Sequence, residues 1–267
     1  MCLIVFSISK ENILLDSNSR FSITLMANRD EYYERPTSLM DWWNDRPILA
    51  GKDESAGGTW LAIGKDGRFA AITNYKENGV ADYELSRGKL VTDFLEDKRL
   101  TAKEYFASLN GDSFAAFSLL VSDSEGVHSF SNRREGIVTL TEGVHALGNG
   151  FLNSDTEKVI KIKDDFTELQ KTPMNKDQAF KMMRQYAGDL DAETQEELKK
   201  KDYEEIPHRF IKSSFYGTRC TTLFCIDSLG RINTSEQSYS EGGIASQRRD
   251  FEFVISYRFR EISSNRK

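Results

Sequence analysis

MCLIVFSISK (residues 1–10) opens the chain, with a cysteine directly behind the initiator methionine and Leu3, Ile4, Val5 and Phe6 after it. A short apolar run closed by polar residues reads as a strand over 2–9. DSNSR at 16–20 supplies turn chemistry, and the apolar stretch 21–27 reads as a second strand antiparallel to the first, ended by NRDE at 28–31. If the two form a meander, the far end of the second strand lies beside the start of the first. Residues 28–30 then stand next to Cys2. A period of two puts Asn28 and Asp30 on one face and Arg29 and Glu31 on the other.

Beyond this pair the elements come in blocks. A long polar and aromatic loop carries Pro36, Trp42, Trp43 and Pro47, and the Gly57–Gly58 pair marks closely approached backbone. TWLAIGKDGRFAAITN at 59–74 is two apolar segments around Lys65-Asp66-Gly67, a hairpin signal. The period then becomes helical. Ser86 is placed to cap a helix to about Glu96, and Thr101 with Glu104 forms a capping box for a helix to about Leu109. Strands are expected at 116–122, 127–131, 137–140 and 144–147. Ser154 with Glu157 and Asn175 with Gln178 read as further capping boxes, and AFKMMRQYA at 179–187 is amphipathic. DAETQEELKKKDYEE at 191–205 reads as a solvated helix or loop. Strands at 218–227, 232–239 and 251–259 close the chain. Three strand blocks separated by two helical blocks are not the strict alternation of a parallel sheet. They fit an α+β fold of antiparallel sheets with helices outside them, in one domain over 1–267.

The bulk properties narrow the function. Charged residues are 29% and hydrophobic ones 39% of 267, which is the balance of a soluble globular protein. A net charge of -6 gives no basis for a nucleic-acid partner. No stretch has the 18 or so consecutive apolar residues of an integral membrane segment, and the N-terminus lacks the basic start of a signal peptide, so the expected location is cytoplasmic. Three cysteines, Cys2, Cys220 and Cys225, make no disulfide framework. Cys220 and Cys225, five apart, belong on opposite faces of a strand, and with His128, His145 and His208 they form no zinc spacing, so no metal is expected.

Cys2 reads in two ways. It is a small buried residue at the head of a strand, or it is a nucleophile. Removal of Met1, which a small second residue permits, would leave a thiol of ordinary pKa about 8.5 and an α-amine titrating near 7.7–8.0 on one residue. The amine is then a usable base for its own side chain.

Taken in order, MCLIVF, ANRDE, GGTWLAI, TNY, SRG, GNGFLNS and YGTRCTT resemble the NRDE family, also called the transport and Golgi organisation protein 2 family, over residues 1 to about 260. The resemblance implies an N-terminal-nucleophile (Ntn) hydrolase-like fold, a four-layer αββα sandwich. A more distant likeness to Ntn acylases implies roles: Cys2 as nucleophile, Asp30 to steady its amine, Asn74 and Asn149 as oxyanion donors, and Arg219 as a later arginine. Asn28, Arg29, Trp60 and Arg87 lie in the shared motifs as ligand-binding candidates. Outside the resemblance, Asn149 reads as a left-handed turn residue and Arg219 as one half of a structural ion pair. Arg29 and Asp30 are adjacent here, whereas the acylases hold the corresponding pair apart. Both serve one pocket only if the chain turns between them.

Two functions follow from the resemblance. One is a Cys2-centred hydrolase of small acyl amides or thioesters that needs no cofactor. The other is a non-catalytic protein that binds and moves haem, lipid or acyl-CoA, for which Tyr32, Tyr33, Trp42 and Trp43 could wall an apolar ligand, although such aromatics commonly serve packing. A Cys or His ligand to a carried haem is compatible with the composition. The substrate and the oligomeric state stay open.

Overall fold

The structure is a computed structural model, describing residues 2–15, 19–75, 83–173, 175–200 and 206–255. Met1, part of the turn expected at 16–20, residues 201–205 of the charged run, and residues 256–259 of the last expected strand lie outside the described residues.

In chain order the strands and helices are β1 Cys2–Leu15, β2 Ser19–Tyr32, β3 Thr37–Trp42, β4 Ile48–Asp53, β5 Leu61–Gly64, β6 Phe69–Asn74, α1 Gly88–Glu96, α2 Ala102–Ser108, β7 Phe117–Asp123, β8 Gly126–Ser131, β9 Arg134–Thr139, β10 Gly143–Leu147, α3 Glu157–Leu169, α4 Lys176–Met183, β11 Ala187–Asp189, α5 Ala192–Lys200, β12 Phe210–Lys212, β13 Tyr216–Asp227, β14 Arg231–Ser240 and β15 Ile244–Val254. Two antiparallel sheets dominate. One has the order β10-β1-β2-β13-β14-β15, the other the order β3-β4-β5-β6-β7-β8-β9. A short parallel pair, β11 and β12, stands apart from them.

The layers follow from which side chains each face buries. Ile4, Phe6, Leu25, Ala27 and Phe224 of the first sheet meet Leu49, Leu61, Ile63 and Phe69 of the second. On the opposite face of the first sheet, Leu3, Val5, Met26, Leu223 and Cys225 pack under Val159, Ile162 and Phe166 of α3 and Phe180 and Met183 of α4. The outer face of the second sheet is covered by Leu90, Val91 and Phe94 of α1 and Tyr105 and Phe106 of α2. This is the expected α+β, αββα arrangement. It also explains why residues 3–6 are uniformly apolar rather than alternating, since both faces of β1 are covered.

Cys220 faces the second sheet and Cys225 faces the helices, as their spacing requires, and all three cysteines are free. The hairpin β5–β6 and the capping boxes at Thr101 and Asn175 form as expected. Gly58 is backed against Gly88, where an added Cβ would lie 2.5 Å from the Gly88 carbonyl carbon.

Several expectations are corrected. NRDE does not end β2, which runs on to Tyr32 because β13 pairs with it as far as Tyr216. The expected loop after residue 32 holds β3 and β4, whose short runs are interrupted by a register shift between Ser38 and Asp41. Ser86 does not cap α1; the cap position is Arg87, without a side-chain bond. Thr156, not Ser154, occupies the cap of α3, also without a side-chain bond. No helix among the described residues is long and apolar enough to cross a membrane.

Candidate functional site

The β1–β2 register places Cys2 opposite Arg29 and Leu3 opposite Asn28. The next strand continues the row, with Cys220 of β13 opposite Arg29. Cys2, Arg29 and Cys220 therefore lie in line across three strands on the face toward the second sheet. Two interstrand spacings separate the thiols by roughly 10 Å, too far for a disulfide.

On the other edge of β1, Ile4 pairs with Leu147 of β10. Continuing that antiparallel step by two residues brings Asn149, just past the strand end, to the position facing Cys2. The Asn149 Nδ2 donates to the Asn74 carbonyl at 2.9 Å and so ties the end of β10 to the end of β6 in the other sheet. Its Oδ1 is buried without a hydrogen-bond partner. Asn149 is not a left-handed turn residue; the positive φ in this turn belongs to Asn153. An amide nitrogen carries two hydrogens, so one remains for a ligand after Asn74 is served.

Arg29 and Asp30 diverge because β2 stays regular through both. Arg29 is 4% exposed, with its guanidinium 4.2 Å from the Trp60 ring centroid, bonded to Thr37 and 3.7 Å from Asp53. Trp60 thus acts through Arg29, stacked on it. Asp30 points to the helix side, where the Thr218 hydroxyl donates to it at 2.7 Å. Burial raises its pKa, and the charge of Lys158 works against that rise. Asn28 shares this outer face. It is fully buried, donates to the Met183 and Arg209 carbonyls, and accepts from Thr221. The structure therefore takes Asn28 away from any pocket on the Cys2 face. Arg87 is also elsewhere, bonded to the Ala116 carbonyl at the approach to β7.

Arg219 is the extra residue of a β-bulge: Thr218 pairs with Asp30 and Cys220 with Arg29, leaving Arg219 without a partner residue on β2. Bulges re-aim side chains, and this one turns Arg219 into a cavity of about 350 Å³ lined by Tyr33, Ser38, Trp60, Cys220, Glu236 and Ser238 among others. The ion pair expected for Arg219 does not form among the described residues. Its Nη1 donates instead to the Tyr32 and Arg35 carbonyls, and its guanidinium lies 5.5 Å from the Tyr33 ring centroid. Burial, and then the charge of Arg29, lowers its pKa.

Glu236, which the sequence reading missed, is buried at the floor of this cavity. Its carboxylate accepts from the Met40 amide and the Thr222 hydroxyl, and burial raises its pKa. The signal was present, since Glu236 continues the inward period of Ile232 and Thr234. Of the four aromatics proposed as a ligand wall, only Tyr33 lines the cavity. Trp42 packs on Phe253, the Trp43 indole donates to the Ala50 carbonyl, and the Tyr32 hydroxyl donates to the Leu198 carbonyl.

Cys2 itself is partly exposed and is not in the cavity wall; the Arg29 position lies between them in the row. Burial raises the Cys2 thiol pKa; Asp30 adds to the rise and Arg29 opposes it. A base beside the thiol would be what makes it a nucleophile. Alkylation of Cys2 by iodoacetamide should keep accelerating as pH rises past the ordinary thiol range, whereas free cysteine levels off about one unit above a pKa of ~8.5. Timed intact-mass measurements across pH check this, and a plateau at or below about pH 9.5, where free cysteine levels off, would contradict the upward shift.

His128 is fully buried, with its ring nitrogens at Thr139 and Asp123, and those of His145 meet Thr141 and Asn153. No cluster of three His, Cys, Asp or Glu side chains suited to a metal occurs among the described residues.

The family model described as Transport and Golgi organisation 2 matches residues 1–241. The chain belongs to that family. Two relatives are the Transport and Golgi organization protein 2 homolog of Homo sapiens, 29% identical over 96% of this chain and 99% of the relative, and the Transport and Golgi organization 2 homolog of Mus musculus, 29% identical over 89% and 93%. Among solved structures, a Caenorhabditis elegans N-acylethanolamine-hydrolyzing acid amidase ortholog aligns over 83% of this chain and 92% of its own, with 10% identity and a TM-score of 0.46. The membership suggested by the ordered motifs thus holds for this Transport and Golgi organisation 2 chain.

Proposed function

We propose that this Transport and Golgi organisation 2 family member is an N-terminal-nucleophile hydrolase of small acyl amides or acyl thioesters. The observation that carries the reading is the position of Cys2, opposite Arg29 on β2, with the last β1–β10 pair, Ile4 and Leu147, two residues short of it and of Asn149. After Met1 is removed, the Cys2 α-amine takes the thiol proton as Sγ attacks the acyl carbonyl carbon. The second Nδ2 hydrogen of Asn149 meets the oxyanion, held in place by the Asn74 carbonyl. Collapse expels the amine or thiol, which leaves with the proton from the ammonium. Water then cleaves the acyl–Sγ bond and restores the enzyme. Asp30, on the opposite face of β2 and so outside the pocket, acts on the ammonium through its charge, and Arg219 holds the polar end of the substrate in the cavity.

The cavity of about 350 Å³ beside Arg219 supports a second reading, a carrier of haem, lipid or acyl-CoA that uses it without chemistry. The test is incubation with a panel of acyl amides and acyl thioesters, read by intact mass. An acyl mass added at Cys2, on protein that has lost Met1, supports the hydrolase. Saturable binding with no adduct, on protein that keeps Met1, assigns the carrier.

A further inference from the structure

A second concavity, of about 480 Å³, lies on the helix side of the first sheet, between α4 and the β14–β15 ribbon. We propose that it binds the phosphate group of a small soluble phosphorylated molecule. Three cations line it, Lys181 and Arg184 from the end of α4 and Arg248 from β15, against one acid, Asp177. This is a local positive excess in a chain of net charge -6.

Both arginines are held by aromatic faces. The Arg184 guanidinium lies 4.8 Å from the Phe210 centroid and 5.0 Å from that of Tyr239, and Arg248 lies 4.7 Å from Phe180. Stacking fixes the plane of each fork and leaves its edge free to bond. Among the described residues Arg184 gives one hydrogen bond, to the Gly243 carbonyl, and pairs with no carboxylate. The Arg248 Nε is buried without a hydrogen-bond partner, 3.6 Å from the Asp250 carboxylate, which Lys176 and Ser235 already hold through its other oxygen. The Tyr239 side chain is 4% exposed and lines the groove. Its hydroxyl has Thr221 and Arg184 beside it but meets neither at hydrogen-bonding geometry. A carboxylate would be satisfied by one fork. Two forks, an ammonium and a hydroxyl suit the several oxygens of a phosphate. The two acids already beside Arg248 are weak competitors: Asp177 reaches it at 3.1 Å with its side chain 89% exposed, and Asp250, at 3.6 Å, is half-exposed and shared with Lys176.

The probe is inorganic pyrophosphate, titrated calorimetrically into the full chain at constant ionic strength. Saturable one-site binding is expected. Arg248→Gln should weaken it roughly tenfold, and Asp177→Asn should tighten it severalfold by removing one of the two carboxylates paired with Arg248. Arg184→Lys keeps the charge but loses the fork, and should weaken binding while the unliganded thermal midpoint shows that the fold survives. Lys103→Gln, on the opposite outer face of the sandwich, and Cys2→Ala should change nothing, so this test stands apart from the hydrolase reading. No saturable binding at millimolar pyrophosphate, or equal weakening by Lys103→Gln and Arg248→Gln, overturns the proposal. So does sedimentation with phosphatidic-acid vesicles in the absence of pyrophosphate binding, which would assign the groove to a lipid headgroup.

Discussion

Cys2→Ala should abolish the acyl adduct and lower turnover of whichever acyl amide or thioester the panel identifies by at least about 10³-fold, because no other thiol can take over. Cys220 is on the same face but is buried, with its pKa pushed well up by burial and by Glu236. Cys225 faces the helices. The substitution is also structurally mild. Cys2 is partly exposed at the very start of β1, so removing one sulfur there costs little stability, and the variant can be compared directly with the parent by its thermal midpoint. Asn149→Ala should give a fall of about 10²–10³ in kcat, the loss typical of one oxyanion donor. Equal rates for parent and Cys2→Ala, with the substrate still turned over, would end the hydrolase reading. Loss of turnover with unchanged ligand affinity would locate the role of Cys2 in chemistry rather than binding.

Asn28→Leu should destabilise the fold by roughly 3–5 kcal/mol, the largest loss expected from a single polar residue here. The Asn28 Nδ2 holds two carbonyls, Met183 at the end of α4 at 3.1 Å and Arg209 just before β12 at 2.9 Å, and its Oδ1 takes the Thr221 hydroxyl at 2.6 Å. Leucine leaves all three groups buried without partners, each costing about 1–3 kcal/mol before the gain from apolar burial is set against them. The side chain therefore straps the outer helical layer to the centre of the first sheet. Urea denaturation reads the effect directly. A loss below 1 kcal/mol would mean that these bonds are readily replaced, and would reopen a ligand-facing role for Asn28.

The contrast between Asn28 and Arg29 shows where sequence reading succeeds and where it stops. Alternation along NRDE assigned the two residues to opposite faces, and the β1–β2 register confirms it. Which face carried the cavity depended on what covered each side, and that was set by α4 and β13, more than 150 residues away. Arg219 was legible as an arginine in a strand. Its bulge was not, because the mismatch is a property of pairing with β2 and leaves no trace in YGTRCTT. Strands β3 and β4 were missed because their aromatic and charged residues break the period that marks a strand.

Local pattern was enough for the β1–β2 meander, the hairpin at Lys65-Asp66-Gly67, two capping boxes, the layered α+β class and the ordered motifs of the family. Each depends on residues within a few positions of one another, where backbone sterics and periodicity act without help. Tertiary structure alone decided that the end of β10 lies beside the start of β1, that Asp30 sits on the helix side of the sheet, and that Arg219 opens onto a cavity that Glu236 also lines. Those relations join strands that become neighbours only when the first sheet assembles in the order β10-β1-β2-β13-β14, and that assembly is driven by apolar burial that acts without regard to separation along the chain.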